Sequence, residues 1–213
     1  MTKLLPKDPL LNMVSDKRLE TMRRAINHRQ LDLTLVIENI HDPHNVGAIF
    51  RSADAVGIDE IHLLYTKEKF PALHPKVTGS GSKWVKQKQY SDPEILAEQL
   101  KTKGFQLYTT NLTIGAVSFH DIDWTKPSAI IFGNENRGVS STMTSLADKN
   151  IHIPMFGMVE SLNVSAAAAV ILFEVCRQRI IHNSYPNSEL EQEWIAQTTR
   201  DWIQKNHTKN QQQ

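Results

Sequence analysis

The sequence is poor in the features that stabilise secreted proteins or anchor membrane proteins. Among its 213 residues Cys176 is the single cysteine, so no disulfide can form within the chain. The longest apolar run, residues 166–173, is far too short to cross a bilayer. Pro6 and Asp8 interrupt the N-terminus where a secretory signal needs an unbroken apolar stretch. We therefore expect a cytoplasmic protein that does not span a membrane.

The charge is nearly balanced overall but unevenly distributed along the chain. The formal net charge is +1. Residues 1–30 carry seven Lys or Arg against three Asp or Glu, residues 66–88 carry six Lys against one Glu, and the remainder is acidic. This asymmetry indicates an anionic partner bound at particular surfaces, although solvated basic faces would give the same counts.

Hydrophobic periodicity predicts alternating strands and helices. Such alternation is typical of an α/β fold with a mostly parallel sheet covered on both faces. A capping pair, Ser91 and Glu94, is expected to open one helix, and the final segment, NHTKNQQQ, is expected to be disordered. The predicted strands are 33–40, 61–65, 105–110, 129–132 and 151–154, and the predicted helices are 12–29, 45–56, 91–104, 163–181 and 188–205.

Three loops that follow predicted strands are rich in Gly, Asn, Ser and carboxylate side chains. They are residues 41–45, 133–140 and 155–165. Because ligands of open α/β sheets bind at the carboxyl ends of the strands, we expect one site built from all three loops.

Other motifs are weak. The GSGS sequence at 79–82 lacks the third glycine of a dinucleotide fingerprint. His41 and His44 lack the further His or Cys pair of a zinc site, so no metal is expected. Cys176 is interpreted as a core residue. Ser161 has no evident His partner for a hydrolase triad.

Each of the three loops carries a motif, and the motifs occur in a fixed order along the chain. They are Asn45-x-Gly47-x-x-x-Arg51, Gly133-x-Glu135-x-x-Gly138 and Ile153-Pro154-x-x-Gly157-x-x-x-Ser161-Leu162-Asn163-Val164-Ser165. In these motifs and their order the sequence resembles the SpoU RNA 2′-O-ribose methyltransferases over residues 33–180. Its basic first helix and helical tail resemble the TrmH-type tRNA guanosine 2′-O-methyltransferases.

The resemblance implies a fold and an activity that composition and periodicity do not reach. It implies a deep trefoil knot in an α/β domain at 31–182, flanked by a basic helical extension at 1–30 and a helical tail at 183–213. It also implies a homodimer, S-adenosylmethionine as cofactor, and tRNA as substrate, with guanosine 18 of the D-loop as the methylated nucleotide.

Arg51 is the residue on which the proposed chemistry depends most. The apolar face of its helix includes Val46, Ile49 and Phe50, and Arg51 lies nearly opposite, one turn beyond Gly47. A helical side chain leans toward the N-terminus, so the guanidinium is expected over Gly47 as an anion site. The resemblance makes Arg51 catalytic. Two roles remain open: a general base, or a cation that binds the adjacent phosphate and stabilises the alkoxide.

The remaining site residues have structural alternatives. Asn45 is expected either to cap its helix or to orient Arg51 or the ribose. Glu135 is expected to hold Asn163 or a ribose hydroxyl, or to bind backbone N–H groups of its turn. Helix capping should account for Ser161 or Asn163, and the resemblance places both in the active site. The resemblance also assigns four cofactor positions, which core packing could explain in part: Thr110, Gly133, Ile153 and Leu162.

Six cationic side chains are candidates for contact with RNA phosphates. Such contacts add affinity without reading sequence. The candidates are Lys17, Arg23, Arg24, Lys83, Lys86 and Lys88.

Two alternatives to the guanosine 18 activity remain: methylation of another tRNA or rRNA nucleotide, and an RNA-binding factor without catalysis. The second would be expected to lack Arg51 or the Ser161-Leu162-Asn163 run, and both are present.

Overall fold

A computed structural model describes residues 9–67, 70, 81–187 and 190–210. The chain divides into two compact units. One comprises Gln30–His182, and the other is formed by the two ends of the chain.

A parallel sheet organises the unit Gln30–His182. Its strands run in the order β3-β2-β1-β6-β4-β7-β5, and every neighbouring pair is parallel. The prediction of a mostly parallel sheet is therefore confirmed. The strands are β1 Leu33–Glu38, β2 Glu60–Leu64, β3 Lys86–Tyr90, β4 Gln106–Thr110, β5 Val117–Ser118, β6 Ser128–Phe132 and β7 Lys149–His152.

Helices cover both faces of this sheet, as predicted. One apolar core lies under α2 and α6 and includes Phe50, Phe132 and Leu172. A second core lies under α4 and α5 and includes Leu96, Ile131 and Met143. The helices are α1 Asp16–Asn27, α2 Pro43–Ala55, α3 Gly81–Trp84, α4 Pro93–Thr102, α5 Ser141–Leu146, α6 Val164–Ile181 and α7 Gln192–Asn210, with 3-10 turns at Pro9–Met13 and Phe119–Asp121.

Three helix starts differ from the predictions, because an acidic or hydroxyl side chain elsewhere provides the cap. Helix α2 begins at Pro43, and its cap is Asp42, whose carboxylate accepts from the His44 N–H. Asp92, not Ser91, caps α4 by accepting from two backbone N–H groups. Ser15 caps α1, so the predicted helix from residue 12 is wrong in its first turn.

The Lys-rich stretch contains two elements that the sequence pattern did not predict. Strand β3 has the sequence KQKQY and lies at the edge of the sheet, where its largely exposed side chains give no apolar alternation. Gly81 opens α3, and a Cβ there would lie 3.0 Å from the Arg51 Cα, so the absence of a side chain permits close packing on α2. Residues 79 and 80 of the GSGS sequence lie outside the described residues.

The two ends of the chain form the second unit, in which α7 packs on α1 and on the 3-10 turn. Trp202 is buried, and the Arg29 guanidinium lies 4.9 Å from the centre of its ring. Helix α7 continues to Asn210, so the predicted disorder after residue 205 is wrong as far as residue 210. Residues 190–191 are described and are not helical, so a fourth helix start, predicted at residue 188, is later than predicted, at Gln192. Residues 188–189 and 211–213 lie outside the described residues. Across the described ranges, no helix is long and apolar enough to cross a bilayer.

Candidate functional site

A cavity of about 570 Å³ opens at the carboxyl ends of β4, β6 and β7, beside the start of α6. These three strands are neighbours in the sheet, so the loops that follow them reach one place. The volume lies within the range of small-molecule sites. Seven of the predicted site residues lie on its wall: Thr110, Gly133, Glu135, Ile153, Ser161, Leu162 and Asn163.

The loop after β6 turns back on itself at the cavity wall. Asn134 and Gly138 form an antiparallel bridge, and Gly138 has a φ of +66°. A Cβ on Gly133 would lie 2.2 Å from the Gly138 carbonyl carbon. Glycine is therefore required at position 133 by the loop itself, which brings backbone rather than a side chain to the wall.

A chain of hydrogen bonds joins the other two loops to this one. The Asn45 side-chain amide donates to Glu135 Oε1 at 2.9 Å, and Asn163 Nδ2 donates to Asn45 Oδ1 at 3.1 Å. Asn45 is buried and lies within α2, so its predicted capping role is wrong. Glu135 contacts Asn45 rather than Asn163, and Asn45 links the two.

Backbone groups complete the environment of Glu135. Its carboxylate accepts from the N–H groups of His41 at 3.3 Å and Asp42 at 3.4 Å. Burial alone would raise the pKa of Glu135, but the bonds from Asn45 and these backbone groups outweigh it, and the pKa lies below its ordinary value. The carboxylate is therefore held ionised where the three loops meet.

The loop after β7 combines a fixed end with an exposed middle. Asn163 caps α6, and its Oδ1 accepts from the Ser165 N–H at 2.9 Å, as predicted for one of the two candidate caps. Ser161 is exposed. Phe156 and Met158 are almost fully exposed, which is unusual for large apolar side chains.

Arg51 is not part of the cavity wall. It is exposed on α2, and its side chain makes no hydrogen bond or ion pair with any other residue in the described part of the chain. Within a single chain, the structure therefore joins Asn45, Glu135 and Asn163 but leaves Arg51 apart from them.

The candidate RNA contacts differ in how free their charges are. Lys17, Arg23 and Arg24 are exposed on α1. Lys86 forms an ion pair with Asp59 at 3.0 Å, which lowers its availability to a phosphate. Lys83 and Lys88 lie over the rings of Trp84 and Tyr90, at 4.7 and 5.1 Å.

Six polar residues of the cavity wall were not among the predicted site residues, and two of them are Asn134 and Asn136 of the predicted loop 133–140. Asn111 follows β4 directly, and the position of that loop at a strand's carboxyl end could have indicated it. Arg137 lies within the predicted loop 133–140. His152 and Glu160 lie in or beside the third motif, but nothing in their spacing distinguishes them from packing residues. In the described ranges, no group of His, Cys, Asp and Glu has the arrangement of a metal site.

A parallel α/β sheet with a polar-lined cavity at its carboxyl edge defines a small-molecule-binding domain of the kind that enzymes use. Comparison with known proteins identifies the family of this domain. Residues 32–173 match the model of the SpoU rRNA methylase family, and the chain belongs to this family.

Relatives match along most of the chain. The chain is 43% identical to the tRNA (guanosine(18)-2′-O)-methyltransferase of Thermus thermophilus, over 89% of this chain and 99% of that one. The crystal structure of the Aquifex aeolicus TrmH/SpoU tRNA-modifying enzyme superposes with a TM-score of 0.84 at 36% identity, covering 90% of this chain and 97% of that one. The SpoU methyltransferase AviRb from Streptomyces viridochromogenes, solved with AdoMet, gives a TM-score of 0.64 at 28% identity, covering 71% of this chain and 62% of that one.

Proposed function

We propose that this protein transfers a methyl group from S-adenosylmethionine to the 2′-hydroxyl of guanosine 18 in the D-loop of tRNA. The observation that carries the proposal is the hydrogen-bonded connection of Asn45, Glu135 and Asn163, which joins three family motifs at one cavity. The similarity to the Thermus thermophilus enzyme along nearly its whole length supports tRNA as the substrate class.

The cavity wall suits S-adenosylmethionine in its chemistry. The carboxylates of Glu135 and Glu160 complement a ligand with a positive sulfur and an ammonium group. Ile153 and Leu162 supply apolar surface for an adenine ring, and the loop that Gly133 permits brings backbone groups to the wall for hydrogen bonds. When bound, the cofactor supplies an already activated methyl group, so the remaining task is to activate the ribose hydroxyl.

Arg51 is the residue proposed for that task. A guanidinium keeps its proton at neutral pH, so Arg51 binds the phosphate beside the target ribose and stabilises the developing alkoxide. The hydroxyl proton then leaves to that phosphate or to water. Its exposure and lack of a partner among the described residues support this role, since none of those residues neutralises the charge.

We further propose a homodimer and a trefoil knot. Helix α6 supports the dimer because its outer face is apolar, with Val170, Phe173, Ile180 and Ile181 between 41% and 64% exposed. Light scattering should give twice the chain mass of 24.2 kDa, and an active monomer would contradict the dimer.

The order of the strands supports the knotted path, because β6 and β7 return to positions beside the earlier β4.

The basic face of α1 is proposed to bind tRNA backbone. Lys17, Arg23 and Arg24 are exposed there, and Lys83 and Lys88 are secondary candidates. Such contacts add affinity in a salt-dependent way and do not read sequence. We place the activity in the cytoplasm, a reducing compartment, because the single cysteine of the sequence cannot form a disulfide within the chain.

The proposed activity is tested by incubating the protein with labelled S-adenosylmethionine and unmodified bulk tRNA. Mass spectrometry of the nucleosides should find 2′-O-methylguanosine, mapped to the D-loop. Label in another 2′-O-methyl nucleoside would preserve the reaction and overturn the target. Absence of label from both tRNA and ribosomal RNA, with cofactor bound, would favour an RNA-binding factor without catalysis.

A further inference from the structure

His152 is a residue of the cavity wall whose ring nitrogens bond to no other described residue. It ends β7 and is half-buried. Its Nδ1 is buried and has no hydrogen-bond partner among the described residues. Its Nε2 is not among the buried, unpartnered atoms. Because His152 lies on the cavity wall, Nε2 is the ring nitrogen that remains for a ligand.

The buried Nδ1 decides which form of the ring is present. A buried N–H without an acceptor is among the costliest unsatisfied groups, whereas a buried acceptor without a donor is better tolerated. Of the two tautomers, the one with hydrogen on Nε2 avoids a buried, unpartnered N–H at Nδ1. His152 therefore offers an Nε2–H donor.

We infer that His152 is a cofactor-binding residue that donates a hydrogen bond from Nε2 to an acceptor atom of S-adenosylmethionine. The inference rests on the proposed function, which assigns this cavity to that cofactor. It adds a directed donor to a wall on which Glu135 and Glu160 supply acceptors only.

Two amide substitutions separate the ring nitrogens. The His152→Gln side chain reaches the position of Nε2 and keeps a donor there, whereas His152→Asn places its amide near Nδ1. His152→Leu removes both. Binding of S-adenosylhomocysteine is measured by calorimetry, so the readout does not depend on catalysis. We expect His152→Gln to bind within about threefold of wild type, and His152→Asn and His152→Leu to bind about five- to tenfold more weakly.

His62 provides a matched control. Its Nδ1 is likewise buried without a partner, but it lies on β2 and not on the cavity wall. His62→Leu should therefore leave the affinity unchanged. The melting temperatures of the ligand-free His152 variants should not fall, because the nitrogen removed has no protein partner to lose.

Each failure has a distinct meaning. Equal affinity in wild type and all three His152 variants would overturn the inference while leaving the proposed function intact. Weak binding by His152→Gln together with a lowered melting temperature would also overturn it, in favour of a packing role. Wild-type protein that does not bind S-adenosylhomocysteine would overturn the proposed function and the inference with it.

Discussion

Asn45 and Arg51 lie on the same helix, α2, and the structure holds them in opposite ways. Asn45 is buried at the start of the helix and bonded to Glu135 and Asn163. Arg51 is exposed farther along and has no partner among the described residues. The comparison separates a preorganised part of the site, which also stabilises the fold, from a charged part kept available for a ligand.

The largest effect is expected from Arg51→Ala. Transfer to tRNA should fall at least about a hundredfold, because a cation aimed at developing charge is lost. The melting temperature should stay unchanged, since no bond within the described part of the chain is removed. Methylation rates and calorimetry test both statements.

Arg51→Lys serves as the matched control for that change. Lysine keeps the charge but lacks the planar fork that binds a phosphate in two places, so most of the activity should still be lost. Full activity in Arg51→Ala would contradict the proposed role. A fall in its melting temperature would show that Arg51, like Asn45, stabilises the fold.

Glu135→Gln should reduce both activity and stability, with an effect smaller than that of Arg51→Ala. The free energy of unfolding at pH 7 should fall by about 1 kcal/mol, since hydrogen bonds to an ionised, partly exposed acceptor are weakened. Urea unfolding at one fixed protein concentration measures this, with Glu160→Gln as control, because Glu160 is exposed and unbonded within the described residues.

The same variant makes a prediction about pH. The folded-state pKa of Glu135 lies below its ordinary value of 4.5. The contribution of the ionised carboxylate to the free energy of unfolding is therefore complete above pH 4.5, and it is lost as the pH falls through the folded-state pKa. The stability difference between wild type and Glu135→Gln should shrink below about pH 4.5, and a difference that is constant with pH would contradict the assigned hydrogen bonds.

The smallest effect on turnover is expected from reversing Lys17 and Arg24 to Glu. Like that of Arg51, these side chains are exposed and have no bonding partner among the described residues, so binding should change without loss of stability. Affinity for tRNA should fall about tenfold, and the slope of its logarithm against that of salt concentration should become shallower by about 2.

Reversal of Lys103 and Lys149, which are also exposed, makes the same change in net charge and serves as the control. It should leave the tRNA affinity nearly intact. A loss of S-adenosylhomocysteine binding in the Lys17 and Arg24 variant would indicate misfolding rather than a lost RNA surface.

Sequence reasoning succeeded where local patterning carries the information. The apolar spacing of Val46, Ile49 and Phe50 predicted the buried face of α2, and all three are fully buried. It failed where the partner is distant in sequence. Asn45 is a good helix cap by residue type, yet Asp42 takes that role and a carboxylate ninety positions away binds Asn45 instead. Strand β3 was missed because a polar edge strand has no apolar alternation.

The sequence by itself determined the alternation of strands and helices, the three polar loops and their motifs, and thereby the family. These depend on spacing along the chain, which periodicity and residue type report directly. Only the tertiary structure decided that Glu135 joins Asn45, that α6 keeps an apolar outer face, and that His152 lies on the cavity wall. Periodicity indicates which face of an element is buried, but not what it is buried against, because that depends on contacts between segments far apart in the chain.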